Sequence, residues 1–228
     1  MAPKSLVLSL FGIFMTVQVH SSEFLSQRLV EYMARESNPD VIPQKSLDTP
    51  VKLGLSMTLI DIKDVDQRKN QVEIDAWLAM TWNCGITFDP TEFNNLMNVR
   101  LPPSKVWVPD LAVYNGDIDL LGYIGHQNVL LQYDGNALWI PPSKIRASCD
   151  LADDKLLTNA TCRVKIGSWT YSAHHIYLND ETSVDISSYN QDSKYNVTNV
   201  SAKKVARTYS CCPEEYHHIL FTFSFVKK

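Results

Sequence analysis

The sequence predicts a mainly β fold, a β-sandwich preceded by one α-helix. Apolar residues recur at helical spacing across residues 23–35, and from Val51 onward they alternate with polar residues, as on half-buried strands. Turn-forming pairs such as Asp134-Gly135 separate the alternating segments. Many strands following a single helix favour two packed sheets.

The elements follow from where each periodicity begins and ends. The helix is expected to stop before Asn38-Pro39, because proline disfavours a helical residue in front of it. A strand from Val51 to Leu59 and another from Val72 to Met80 flank a polar turn at residues 64–71. Further strands are predicted at residues 123–133, 137–141, 162–175 and 219–226, the last with Ile219, Phe221, Phe223 and Phe225 on one face.

Composition narrows the classes of function. The 228 residues are 45% hydrophobic and 20% charged, as in an ordinary packed domain, so a disordered or low-complexity chain is excluded. A net charge of −4 argues against a nucleic-acid partner, which would require a basic excess.

Residues 1–22 are predicted to be a secretory signal peptide. Lys4 precedes an apolar stretch of 14 residues from Leu6 to Val19, and Ser21 offers a small residue for cleavage. The alternative, a membrane anchor, needs roughly 20 apolar residues. We therefore expect a mature domain at residues 23–228 that is secreted, extracellular and not inserted in a membrane, in which disulfides can form.

Three sequons agree with the secretory route and predict a glycoprotein. They lie at Asn159, Asn196 and Asn199, each followed two residues later by Ser or Thr.

The five cysteines divide unevenly. Cys149 and Cys162 enclose 12 residues, a loop whose closure would stabilise the fold by about 3 kcal/mol. Cys211 and Cys212 are adjacent, with Cα atoms about 3.8 Å apart, below the usual disulfide range of about 4.4–6.8 Å. A bridge there would stiffen a loop tip, while two free thiols or pairing elsewhere remain open. Cys84 is expected to be a free, partly buried thiol, with an interchain bridge as the alternative.

Six motifs occur in one order along the chain. They are Trp77-Leu78-Ala79-Met80-Thr81-Trp82, Trp107-Val108-Pro109-Asp110, Tyr114-Asn115, the Cys149–Cys162 loop, Gly167-Ser168-Trp169-Thr170-Tyr171 and Tyr209-Ser210-Cys211-Cys212-Pro213-Glu214-Glu215-Tyr216. With them the chain resembles the extracellular ligand-binding domain of pentameric ligand-gated channels, and most of all the soluble acetylcholine-binding proteins. The resemblance implies an immunoglobulin-like β-sandwich of about ten strands with an N-terminal α-helix, assembled as a homopentameric ring.

The resemblance also implies a ligand site between subunits. Its principal face comprises Tyr114, Trp169, Tyr209, Cys211, Cys212 and Tyr216, and its complementary face comprises Trp77, Leu130, Leu138 and Ile140. It implies a vicinal Cys211–Cys212 disulfide, Lys165 as a supporting residue beneath the principal face, and structural roles for Trp82 and Trp107.

Aromatic side chains suit small cationic ligands such as acetylcholine and nicotine-like amines. A quaternary amine has no proton to lose, so ring faces must replace its water, and each desolvated contact can contribute about 2 kcal/mol. No catalysis, cofactor or metal is expected. A metal hydrolase built on His174-His175 and His217-His218 is disfavoured, because adjacent histidines on a strand point to opposite faces.

Departures from the family pattern bear on the choice between a free binding protein and a channel subunit. The Cys149–Cys162 loop lacks the apolar run that touches a channel domain and carries the sequon at Asn159. The chain given ends at Lys228, with no apolar helix after the sheet. Both favour the free protein; the alternative is the extracellular part of a channel subunit. His218 stands where the family commonly has an aspartate that interacts with the lysine.

Overall fold

The computed structural model describes residues 27–46, 48–120, 127–151 and 156–228. Within them, helix α1 covers residues 27–36 and precedes the strands. The strands are β1 Val51–Asp66, β2 Gln71–Asn83, β3 Asn98–Leu101, β4 Leu111–Val113, β5 Gly116–Asp119, β6 Val129–Gln132, β7 Asn136–Trp139, β8 Pro142–Ser148, β9 Ala160–Ser168, β10 Ile176–Leu178, β11 Val184–Asp185, β12 Tyr195–Tyr209 and β13 Cys212–Lys227. Short 3-10 turns lie at Pro90–Phe93 and Pro103–Lys105. The predicted mainly β class is confirmed.

The strands form two sheets. The larger runs β10-β1-β2-β7-β6-β3, with β11 also paired to β1, and β8 joining β2 to β5. The smaller runs β12-β13-β9-β4. All pairs are antiparallel except β1 with β10 and β1 with β11. The long pairing of β1 with β2 is interrupted between Leu59 and Asp61 and between Ile62 and Asp64.

The core lies between the sheets. Ile219, Phe221, Phe223 and Phe225 of β13 are completely buried, as their predicted common face requires. Trp82 and Trp107 are also buried and meet edge to face with ring centroids 6.1 Å apart, which confirms their structural role.

Strand β12 was not predicted. Of its 15 residues only Tyr195 is buried, and asparagine, serine and lysine occur along its length, so no apolar alternation marks it. As an edge strand it pairs on one side with β13 and exposes most of its side chains.

Other boundaries differ from expectation. The turn predicted at residues 64–71 is confined to residues 67–70, because the pairing of β1 with β2 continues to Asp66 and Gln71. The strand predicted at residues 162–175 ends at Ser168. Part of the predicted strand 123–133, the signal peptide at residues 1–22 and the start of the predicted helix fall outside the described residues. In the part of the chain that is described, no helix is long and apolar enough to cross a membrane.

The cysteines are only partly as expected. Cys149 and Cys162 form a disulfide with Cα atoms 4.7 Å apart, which joins the chain after β8 to β9. Cys211 and Cys212 carry no bond to each other in this structure, and the implied vicinal disulfide stays a prediction. On the backbone, Cys212 pairs with Tyr209, so both sulfur side chains lie at the tip of the β12–β13 hairpin.

The fifth cysteine, Cys84, is buried and free, as predicted. Its Sγ lies 3.7 Å from the carbonyl oxygen of Ile86. Burial raises the pKa of this thiol, which therefore stays protonated at neutral pH.

Removing the Cys149–Cys162 disulfide should destabilise the fold. Replacing Cys149 and Cys162 together by serine is expected to lower the free energy of unfolding by about 2 to 4 kcal/mol, because the unfolded chain regains the freedom of the closed loop. Urea denaturation followed by circular dichroism measures the change.

The other cysteine pair supplies the matched control. Replacing Cys211 and Cys212 by serine changes two adjacent side chains at a hairpin tip, which enclose no loop, and is expected to change stability by less than about 0.5 kcal/mol. Equal losses in both double variants would contradict the assignment of the stabilisation to closure of the Cys149–Cys162 loop.

Candidate ligand-binding site

One cavity of about 450 Å³ lies at the end of the smaller sheet. It is lined by Tyr114, Trp169, Tyr209, Cys211, Cys212 and Tyr216, the complete predicted principal face. Tyr114 follows β4, Trp169 follows β9, and the other four lie at the tip of the β12–β13 hairpin. Segments up to a hundred residues apart in the chain thus converge because β4, β9 and β13 are neighbours in one sheet.

The rings in this cavity meet at steep angles. Tyr114 and Trp169 have centroids 6.4 Å apart and planes at 66°, and Tyr209 and Tyr216 have centroids 5.8 Å apart and planes at 72°. In an edge-to-face pair the edge of one ring contacts one face of the other, so the pair leaves the opposite face of that ring and both faces of its partner uncovered. Trp169 is 69% exposed, an unusual state for so large an apolar side chain.

Asp110 fixes the loop that presents Trp169. Its carboxylate accepts hydrogen bonds from Ser168 Oγ at 2.5 Å, from Thr170 N at 2.8 Å and from Thr170 Oγ1 at 2.6 Å. The Trp169 N–H donates to the Asp110 carbonyl oxygen at 3.1 Å. The backbone on both sides of the indole is therefore held although the ring has little packing. Sequence reasoning missed this role; the signal was a hydroxyl residue on each side of Trp169.

Tyr114 forms the floor of the cavity as a neutral phenol. Its hydroxyl donates to the Ser168 carbonyl oxygen at 2.6 Å. Burial, and then the proximity of Tyr209, Asp110 and Tyr216, raises its pKa to about 12. The ring is thus uncharged throughout the physiological range.

Gly167 makes room for this ring. A Cβ at this position would lie 2.7 Å from the Tyr114 hydroxyl and 2.5 Å from the His217 carbonyl oxygen. A larger residue would push the phenol away from β9 or separate β9 from β13.

Two predicted supporting features lie behind the cavity rather than in it. Lys165 is half-buried on β9, paired with Leu220 of β13. His218 is buried on β13, and its ring centroid lies 5.6 Å from that of Tyr114.

The predicted complementary-face residues occupy the other sheet. Leu130 of β6 is paired with Leu138 of β7, and Trp77 of β2 with Pro142 of β8. Trp77 and Ile140 are 41% and 44% exposed. None of the predicted four lines the aromatic cavity of its own chain. The aromatic cavity therefore lies at the smaller sheet, whereas these four residues lie in or beside strands of the larger sheet.

The remaining predicted positions are accessible or dispersed. The asparagines of all three sequons, Asn159, Asn196 and Asn199, are exposed. The histidine pairs do not converge: His175 Nδ1 lies 2.7 Å from Gln44 Oε1, and His217 Nε2 lies 2.8 Å from Glu215 Oε1. Among the described residues no three histidine, cysteine or acidic side chains are grouped to hold a metal ion.

Comparison with known proteins agrees with this arrangement. The sequence profile of the family described as the neurotransmitter-gated ion-channel ligand binding domain matches residues 26–228. Acetylcholine receptor subunit alpha-type acr-16 of Caenorhabditis elegans is 30% identical over 86% of the chain, and neuronal acetylcholine receptor subunit alpha-6 of Gallus gallus is 28% identical over the same share. Neuronal acetylcholine receptor subunit alpha-9 of Gallus gallus is 27% identical over 99%.

These relatives are longer proteins. The matched region covers 40% of the length of the first two and 48% of the third. The profile match nevertheless extends over nearly all of the chain beyond its predicted signal peptide. The chain therefore belongs to the family of neurotransmitter-gated ion-channel ligand-binding domains.

Proposed function

We propose that this chain is a secreted, non-catalytic binding protein that captures acetylcholine and nicotinic-type cationic ligands in aromatic cages at the subunit interfaces of a homopentamer. The convergence of four aromatic side chains on one cavity, with Trp169 held open to solvent, is the observation that carries the proposal. The names of the relatives, all acetylcholine receptor subunits, support the choice of ligand class.

The cavity has the chemistry that a quaternary amine requires. Its lining consists of four π-faces and two sulfur side chains, with no cationic residue among them. Each desolvated cation–π contact contributes about 2 kcal/mol, and a micromolar dissociation constant needs about 8 kcal/mol net. Four rings together with the exclusion of water are therefore of the right magnitude.

A neighbouring subunit would complete the site. The aromatic cavity is open on one side, and the patch of Trp77, Leu130, Leu138 and Ile140 lies on the opposite sheet of the same chain. When one surface of a chain contacts a different surface of the next, the contacts are head-to-tail and can close into a ring. We propose that this patch covers the cavity of the adjacent subunit.

A second candidate is the extracellular domain of a channel subunit. The relatives are receptor subunits more than twice as long as the matched region, which favours it. The exposed sequon at Asn159, in the loop closed by Cys149 and Cys162, favours the free protein. Sequencing the natural transcript beyond the codon for Lys228 distinguishes them: an in-frame run of apolar spans would establish the channel subunit.

The indole of Trp169 should dominate affinity. Trp169→Ala is expected to weaken binding of carbamoylcholine by about 30-fold or more, since it removes the strongest π-face, and Trp169→Phe is expected to lie between it and the wild type. Isothermal titration calorimetry measures the dissociation constants.

Tyr177→Ala is the control, because Tyr177 is an exposed aromatic residue of β10, outside both the cavity and the β6–β7 hairpin that carries Leu130 and Leu138. Wild-type affinity in the Trp169→Ala variant would contradict the cage. An absence of saturable binding by the wild type would contradict the proposed function as a whole.

Assembly should be required for binding. Light scattering after size exclusion is expected to give a mass of about five protomers. Trp77→Ala is expected to weaken carbamoylcholine binding by about tenfold without loss of the β-sheet circular dichroism signal, because the complementary patch loses its ring. A monomer that binds with wild-type affinity would contradict an interface site.

A further inference from the structure

A buried histidine lies directly behind the aromatic cavity. His218 is 4% exposed, and its imidazole packs against Tyr114 with centroids 5.6 Å apart and planes at 55°. On either side it pairs in register with Gly167 of β9 and Val205 of β12, so it sits in the middle of the smaller sheet. Tyr114 thus separates this ring from the cavity that we assign to the ligand.

Its neighbour on β13 has different surroundings. His217 faces the opposite side of the strand, where its Nε2 meets Glu215 and its ring lies 4.9 Å from that of Tyr177. For His218, no residue in the described ranges forms a hydrogen bond to the buried Nδ1.

The charged groups that face His218 are cationic. Lys165 approaches from β9 and Arg207 from β12, while Tyr114 and His217 are the other titratable groups beside it. Burial, followed by Lys165, Arg207 and His217, lowers the pKa of this imidazole below its ordinary value of 6.5. His218 is consequently neutral at neutral pH.

We propose that His218 makes the affinity of the aromatic site for cations depend on pH, because its protonation places a positive charge behind Tyr114 that opposes a cation in front of the ring. The inference rests on the proposed function, since it concerns ligands of the same cavity. It assigns His218 a role in tuning the charge preference of the site through Tyr114, without contact to the ligand.

The direction follows from linkage. Above pH 7 the imidazole is neutral in both the free and the occupied site, so affinity is independent of pH. As the pH falls to the lowered pKa of His218, the free site takes up a proton that the occupied site disfavours, and affinity for a cation declines. By the same reciprocity, a bound cation lowers the affinity of His218 for its proton.

The test uses two probes that differ in charge alone at one atom. Carbamoylcholine is permanently cationic, and 3,3-dimethylbutyl carbamate is its uncharged analogue, with carbon in place of the quaternary nitrogen. Once His218 is protonated, the wild-type assembly is expected to have lost about tenfold in affinity for carbamoylcholine relative to pH 7.5, as two like charges across one ring in a partly buried site would produce. The midpoint of the decline is expected to lie below pH 6.5, because the pKa of His218 is lowered. The affinity of the assembly for the neutral analogue is expected to stay constant.

Variants isolate the histidine. His218→Gln and His218→Asn carry no titratable group and are expected to flatten the carbamoylcholine profile, whatever their affinity at pH 7.5. Lys165→Met removes a neighbouring cation and is expected to move the midpoint of the decline to higher pH, which a purely structural role of His218 would not cause. His174→Gln is the control, since His174 is exposed and outside the cavity, and its profile should match that of the wild type.

Each remaining outcome decides the question. A pH profile of His218→Gln identical to that of the wild type, or an unmoved midpoint in Lys165→Met, overturns the inference and leaves the proposed function intact. An equal decline for the charged and neutral probes also overturns it. A wild-type protein that does not bind carbamoylcholine at pH 7.5 overturns the proposed function and this inference with it.

Discussion

The register of β13 against its two neighbours is the constraint on which the rest of the structure depends. Four apolar residues of this strand, from Ile219 to Phe225, are completely buried between the sheets and can lie there in one register only. The same alternation, continued toward the hairpin, places Tyr216 and His218 on the outer face and His217 on the inner face. A slip of one residue would exchange the two histidines and turn Tyr216 away from the cavity. The core of the domain and the wall of its site are therefore fixed by one periodicity.

Next to this strand, hydrogen bonds rather than apolar packing hold the aromatic side chains in position. An indole that is mostly exposed gains little from burial, so its position depends on the hydrogen bonds that Asp110 accepts on either side of it. The hydroxyl of Tyr114 is likewise anchored to the carbonyl of Ser168, one residue before Trp169. The positions of the Tyr114 and Trp169 rings therefore both depend on the backbone at Ser168 and Trp169. Because the loop is held before a ligand arrives, binding there need not include the cost of ordering it.

The sequence predicted those elements in which burial of one face sets both the side-chain pattern and the structure. Alternation identified β1, β2 and β13, and the order of the aromatic and cysteine motifs identified all six residues of the cavity. Sequence reasoning failed at β12, whose exposed edge position leaves no apolar period to detect. At the vicinal cysteines, spacing alone admits either bonding state, so the bridge there stays a prediction. Strand alternation also predicted that His217 and His218 face opposite sides of the sheet. The alternation also indicates that His218 shares the outer face with Tyr216, but its contact with Tyr114 depends on the pairing of β9 with β13, a long-range contact that no local pattern encodes.

The missing side chain at Gly167 has a mechanical consequence. At most positions of a strand, a side chain lies between the main chain and a ring that covers it. Gly167 has no such side chain, so the Tyr114 hydroxyl lies close to the main chain of β9 and to the carbonyl oxygen of His217 on β13. A change in the distance between β9 and β13 therefore reaches the phenol through main-chain contacts, among them its hydrogen bond to the Ser168 carbonyl oxygen, and not through a side chain at position 167.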